Sequence, residues 1–285
     1  MKMISAPAIE WAENTLKNHE VISVKNIADT DYSFVTEIQC KNTIFFLKQN
    51  HPFFTYEDKL LSYLYGNNTN NLKVYATNKD LNCFITESSG LQITPNILEY
   101  YIKVVDKFIE IQIKSKVAEL NELGLRKFSA NEILDLCSKY QINPESLVKS
   151  WIEIEKIIPL SLEHGDFHLG NILLDNNSNI TFIDIAEGTV TNPLFSLLSF
   201  ENTLKWRGNL DEVIISKARD YWIKKYSEKI QLDIAIIEKM YSHSKIIFPL
   251  YCIFGLDFLL KTCSNEQFKE KTNLKIFKYK QLLTS

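Results

Sequence analysis

Residues 161–188 read SLEHGDFHLGNILLDNNSNITFIDIAEG, and this stretch decides how the rest of the chain is read. Pro159 closes the helical pattern that precedes it. Ile172–Leu174 is a short apolar run, and Asp175, Asn176, Asn177, Ser178 and Asn179 form a turn cluster. Ile180–Ile185 is a second apolar run rich in β-branched residues. The spacing predicts a hairpin with Asp166 and Asn171 at its start and Asp184 returned to the same end.

Three oxygen-bearing side chains at one end of a hairpin suit a particular chemistry. Mg²⁺ is a hard cation, held as a rule by one or two carboxylates together with substrate phosphates. Asn171 and Asp184 can share such an ion. Asp166 then remains to orient a hydroxyl and take its proton, which is the division of labour of a phosphoryl-transfer site.

His-Gly-Asp followed by four residues and Asn171, then an apolar strand ending in Ile183-Asp184, resembles the aminoglycoside phosphotransferase and choline kinase superfamily. The likeness in arrangement runs from about residue 20 to about residue 200. It implies an α+β, bilobal protein-kinase-like fold. Residues 1–87 would form a nucleotide-binding lobe, an antiparallel sheet with a helix. Residues 88–285 would form a mainly helical catalytic and substrate-binding lobe. The implied donor is ATP or GTP with Mg²⁺, and the implied acceptor is a small hydroxylated molecule such as an antibiotic sugar or a choline-like amine.

The resemblance also assigns roles. Val21–Ile27, Phe34–Cys40 and Thr43–Gln49 read as strands, with Lys48 near the end of the third. Lys48 corresponds to the family's phosphate-binding lysine. Glu57, at the start of the helical pattern YEDKLLSYLY, is its partner, with Asp58 the alternative beside it. The loop that carries glycines in this family reads Ala28-Asp29-Thr30-Asp31-Tyr32-Ser33 here and has none. Ser33 and its neighbours are expected to offer backbone N–H groups to phosphate, with the two aspartates turned away. Val74–Thr77 and Cys83–Glu87 are the next strands, and adenine would meet the backbone between Glu87 and Ser89.

His164 is expected to brace the loop that aims Asp166. His168 stands where Ser/Thr protein kinases carry a lysine, and it reads as a loop or substrate-side contact. No Phe-Gly follows Asp184, no Ala-Pro-Glu follows later, and Ser196 replaces the aspartate of the family's Pro-x-x-Asp-Leu. Glu187 and Glu201 lie just past the metal strand, where a cationic acceptor needs carboxylates. Two rival readings are an atypical protein kinase and a non-catalytic nucleotide-binding module. The missing lysine and activation segment count against the first, and the intact polar positions count against the second.

Composition bounds the remainder. A net charge of −3 gives no reason to expect a nucleic-acid partner. Cys40, Cys83, Cys137, Cys252 and Cys263 are widely spaced and odd in number, which fits buried free thiols and a cytoplasmic setting. Glu10 and Glu13 interrupt the N-terminal stretch, so no signal peptide is expected. The most apolar stretch, Ile246–Leu260, contains Pro249 and Asp257 and falls short of the ~20 residues that span a bilayer. It reads as a core helix, with no membrane partner. Further helices are predicted over 95–116, 131–140, 145–158, 210–226, 233–241 and 244–260, with a solvated one over 268–280. The sequence sets no oligomeric state.

Overall fold

The computed structural model describes residues 6–93, 98–206, 210–262 and 265–284. The architecture is α+β. Helix α1 (Ala6–Thr15) leads into three strands, β1 (Val21–Asp29), β2 (Ser33–Cys40) and β3 (Ile44–Asn50). Helix α2 (Glu57–Gly66) then precedes β4 (Val74–Asn78) and β5 (Cys83–Glu87). All pairings are antiparallel in the order β1-β2-β3-β5-β4. Strand β2 shows the cause: Phe34, Thr36, Ile38 and Cys40 are buried while the residues between them are half-covered. That period of two belongs to a strand with one face on a core. Ala8, Ala12 and Leu16 of the first helical segment close over Ile38, Phe45, Leu47 and Ile85.

Strand β6 (Leu91–Gln92) leaves this sheet. The chain continues through α3 (Leu98–Lys114), α4 (Val117–Glu122), β7 (Arg126–Lys127), α5 (Ala130–Tyr140) and α6 (Glu145–Glu155). Strand β8 (Ser161–Glu163) precedes the predicted hairpin, which is β9 (Ile172–Leu174) and β10 (Ile180–Phe182). After β11 (Thr189–Thr191) come α7 (Leu194–Trp206), α8 (Glu212–Ile230), α9 (Ile234–Thr262) and α10 (Glu266–Thr284). Two small sheets, β10-β9-β6 and β7-β11-β8, sit among these helices and carry the loops of the site.

Several boundaries differ from expectation. The predicted helices over 233–241 and 244–260 are one continuous helix, α9, with Pro249 inside it. Proline removes one intrahelical bond, but Tyr241, Ser244, Ile247, Phe248, Leu250 and Tyr251 are all buried around it. Packing therefore outweighs the loss of that bond at Pro249, and the helix also runs unbroken through residues 242–243, where two helices were expected. By length and composition α9 is long and apolar enough to cross a membrane. Here it packs against α6, α7, α8 and α10, and its buried Asp257 is held by Lys139, Tyr140 and Lys261. The last helix is not simply solvated: Thr272 and Ile276 are buried, and α10 docks along α9. Helix α4 was not foreseen. Helix α5 begins at Ala130 because Ser129 and Glu132 form a capping box. Cys40, Cys83 and Cys137 are buried free thiols and Cys252 is a half-buried one. Pro95, expected to open α3, and Cys263 lie outside the described residues.

Asn70, in the turn between α2 and β4, ties the first sheet to the hairpin. Its side chain donates to the Phe182 carbonyl at 2.9 Å and accepts from the Phe182 N–H at 2.9 Å. Replacing Asn70 by Ala would leave a buried donor and acceptor of β10 without partners. The expected cost is about 2–4 kcal/mol, read as a lower denaturant midpoint for Asn70→Ala at unchanged m-value.

Candidate active site

Lys48 sits on β3, whose side chains alternate between the core and the cleft. Its Nζ lies 2.8 Å from Glu57 and 2.6 Å from Asp184 Oδ1. Glu57 is almost wholly buried at the start of α2, and its second oxygen accepts from Asn50 Nδ2 at 2.8 Å. Burial works against the Lys48 charge, but the Asp184 and Glu57 carboxylates more than reverse this and raise its pKa. The Lys48 ammonium in turn holds Asp184 below the usual carboxylate range, against the effect of burial. Burial pushes Glu57 up, opposed by Lys48. Asp58 is not the partner.

Asp184 leaves β10 with a left-handed backbone, φ 57°. Ile183, just before it, fixes that departure. Its N–H donates to the Asn171 carbonyl at 3.0 Å, and its carbonyl lies 3.1 Å from His164 Nε2. One residue, Ile183, thus links His164 and Asn171 to the backbone just before Asp184. His164 is fully buried beside Phe167, and burial pushes its pKa down to about 4, so it is a neutral brace. Asn171 Nδ2 donates to the Asp166 carbonyl at 2.9 Å, which leaves its amide oxygen as the group a cation would take. Together with Asp184, which keeps 48% of its side-chain surface open, this is an all-oxygen donor set of the kind Mg²⁺ prefers. Among the described residues no group of three or more His, Cys, Asp and Glu is placed to hold a metal by itself, so phosphate oxygens would have to complete such a site. His168 Nε2 stands 3.2 Å from Asp166 Oδ2.

Asp166 opens into a cavity of about 320 Å³, with Arg126, Glu187, Tyr251, Phe254 and Tyr279 among its lining. Burial, and then the Asp166 charge, push Glu187 up to about 8. Gly165 has φ 88°, and a Cβ there would overlap the Glu187 backbone, so only glycine lets these two segments touch. Arg126 donates to the Glu187 carbonyl at 3.2 Å and lies 4.0 Å over the Phe258 ring. Glu163 accepts from the Gly165 N–H at 2.6 Å and from the Tyr251 hydroxyl. Sequence reasoning missed Arg126 and Glu163. Only Glu163 left a signal, a carboxylate in an apolar run beside His-Gly-Asp.

Other expected residues lie elsewhere. Glu201 is absent from the cavity lining; it is bonded to Arg219 at 3.2 Å and to the Tyr241 hydroxyl, an ion pair that joins α7 to α8 and α9. The Ser33 N–H and the Tyr32 N–H both donate to Thr30 Oγ1, at 3.0 and 3.2 Å. In this state the glycine-free loop spends those donors on its own turn rather than presenting them to phosphate. Glu87 and Ser89 line a cavity of about 600 Å³ together with Tyr65, Lys73 and the hairpin residues Leu174, Asp175 and Thr181. Ser196, in place of the expected aspartate, is buried and bonded to Gln112 at 3.2 Å, so Gln112 anchors the segment instead. Of the aromatics Trp206, Tyr221, Trp222, Tyr226 and Tyr251, Tyr251 alone is in the Asp166 cavity lining.

The chain is similar to solved kinase structures. A choline kinase, LicA, from Streptococcus pneumoniae aligns over 97% of this chain and 100% of its own, with a TM-score of 0.59 and 15% identity. The Plasmodium vivax ethanolamine kinase covers 94% of this chain and 85% of its own, with a TM-score of 0.64 and 15% identity. An AMP-bound spectinomycin phosphotransferase covers 97% and 98%, with a TM-score of 0.59 and 16% identity. The fold is theirs. No family model matches the sequence, and no curated protein does.

Gly165→Ala tests the close approach of the Asp166 loop to Glu187. A side chain at positive φ costs about 1–3 kcal/mol before any overlap is relieved. The variant should melt earlier by at least that amount and lose the wild-type near-ultraviolet signature of its packed aromatics. Wild-type melting would contradict the geometry.

Proposed function

We propose that this chain is a small-molecule kinase that transfers the γ-phosphate of ATP or GTP to a hydroxyl of a compact acceptor. Residues 1–87 act as the nucleotide-binding lobe and residues 88–285 as the catalytic and acceptor lobe. The observation that carries the reading is the placement of Asp166. It lines the Glu187 cavity and lies within electrostatic reach of Asp184, which Lys48 holds. The likeness to choline, ethanolamine and antibiotic kinases supports it, and the AMP-bound relative supports a nucleotide donor.

In this reading Lys48 grips the nucleotide phosphates and Glu57 keeps its charge in place. Asn171 and Asp184 would hold Mg²⁺, which neutralises charge on the phosphates when bound. Asp166 orients the acceptor hydroxyl and receives its proton, with His164 bracing its loop and His168 bracing its carboxylate. Most of the rate gain comes from positioning and fixed charge. At about 320 Å³ the cavity is at the small end of ligand pockets, which favours a compact acceptor. Glu187 is the counter-charge for a cationic group on it, whereas Glu201 is already committed to Arg219.

Two measurements test this. Choline, ethanolamine and glycerol, each with Mg²⁺ and ATP or GTP, form the acceptor panel, and Asp166→Asn should abolish transfer of any of them. Wild-type turnover in Asp166→Asn, or no transfer by the wild type, contradicts the proposal. Choline keeps its charge at every pH, so its KM reports Glu187 directly. Ionised Glu187 binds a cation and neutral Glu187 does not. The KM for choline should therefore fall as pH rises through about 8. Glu187→Gln should raise that KM about tenfold or more, leave the nucleotide KM unchanged, and abolish the pH trend.

A further inference from the structure

We infer that Glu163 and Tyr251 are positioning residues for the transfer step: they hold the Gly165 peptide beside Asp166 and tie it to the wall of the acceptor cavity. The inference rests on the kinase reading above. Glu163 ends β8 opposite Thr189 and is wholly buried. One of its oxygens takes both the Gly165 N–H, at 2.6 Å, and the Tyr251 hydroxyl, while its other oxygen has no partner. Tyr251 comes from α9, stacks on Phe195 with ring centroids 4.7 Å apart, and lines the same cavity as Asp166.

Two hydrogen bonds therefore connect a cavity wall to the residue before the catalytic carboxylate. Gly165 itself is pinned under the Glu187 backbone, so the peptide has little room to move except along this link. A ligand pressing on Tyr251 acts on Glu163, and through it on the aim of Asp166. An amide of the same shape would also accept the Gly165 N–H. What the carboxylate adds is charge assistance, which makes such bonds roughly twice as strong.

The groups facing Glu163 are Tyr251 and Cys252 from α9, Thr189 from β11, Arg126 from β7, Asp166 from the loop and Glu187 from the turn before β11. Burial pushes Glu163 up to about 7, so lowering the pH through that value weakens both bonds.

The test uses the full chain and the variants Glu163→Gln and Tyr251→Phe. Hydrogen exchange of peptides covering 163–170, read without nucleotide, should quicken in both variants and leave the sheet of β1–β5 unchanged. Mg²⁺–ATP hydrolysis with water as acceptor, and transfer to choline, should lose about tenfold in kcat at unchanged nucleotide KM. Wild-type kcat should fall as pH drops through about 7, and Glu163→Gln should lack that fall. Unchanged exchange over 163–170 overturns the inference, as does faster exchange throughout the fold, which marks general packing. Failure of the kinase reading shows separately, as a wild type with no transfer whose 163–170 exchange still responds to the variants.

Discussion

The site depends on one cation held between two carboxylates. Lys48 bonds Glu57 and Asp184 at once, and these three residues come from β3, from the start of α2 and from the loop just after β10. A buried ammonium needs such partners, since its desolvation is otherwise uncompensated. Meeting that need joins the N-terminal sheet to the hairpin, at the point assigned to the nucleotide phosphates in the proposed function. Asn70 makes a second join at the same hairpin, through backbone groups of Phe182. The cleft is therefore defined by polar bonds on one side and by the buried clusters of each part behind them.

Below the cleft the same logic recurs with the signs reversed. Asp166, Glu163 and Glu187 are three carboxyls in one region, with Arg126 as the basic group among them and Lys275 at the outer wall. Burial first, and the neighbouring Asp166 charge after it, shift Glu163 and Glu187 toward the protonated form. Under the proposed function, a cationic acceptor would balance the Asp166 and Glu187 carboxyls that line this cavity. This is the electrostatic content of the proposed acceptor preference.

Much of this arrangement was legible because it is local. The turn cluster 175–179 and two apolar runs were enough to place Asn171 and Asp184 at one end of a hairpin. Alternation in Phe34–Cys40 was enough to place the strand beside the one that carries Lys48. The parts that were not legible are bonds between distant segments. Arg126 lies on a two-residue strand with no periodicity of its own, and Tyr251 reaches Glu163 from α9 across 88 positions. Glu201 looked available because its partners, Arg219 and Tyr241, lie on helices that only tertiary packing brings near. Helix α9 was read as two helices, 233–241 and 244–260, whereas Met240, Tyr241 and Ser244 are buried and the helix runs through them unbroken. The glycine-free loop was expected to serve phosphate, whereas Thr30 captures its N–H groups first.

The central claim is that Lys48, Asn171 and Asp184 form a Mg²⁺–nucleotide site. Titration calorimetry of ATP into wild type and into Asp184→Ala, each with and without Mg²⁺, tests it most directly. The account predicts saturable wild-type binding that Mg²⁺ strengthens, and an Asp184→Ala variant that has lost the Mg²⁺ dependence. Equal, Mg²⁺-dependent affinity in the two proteins would contradict it.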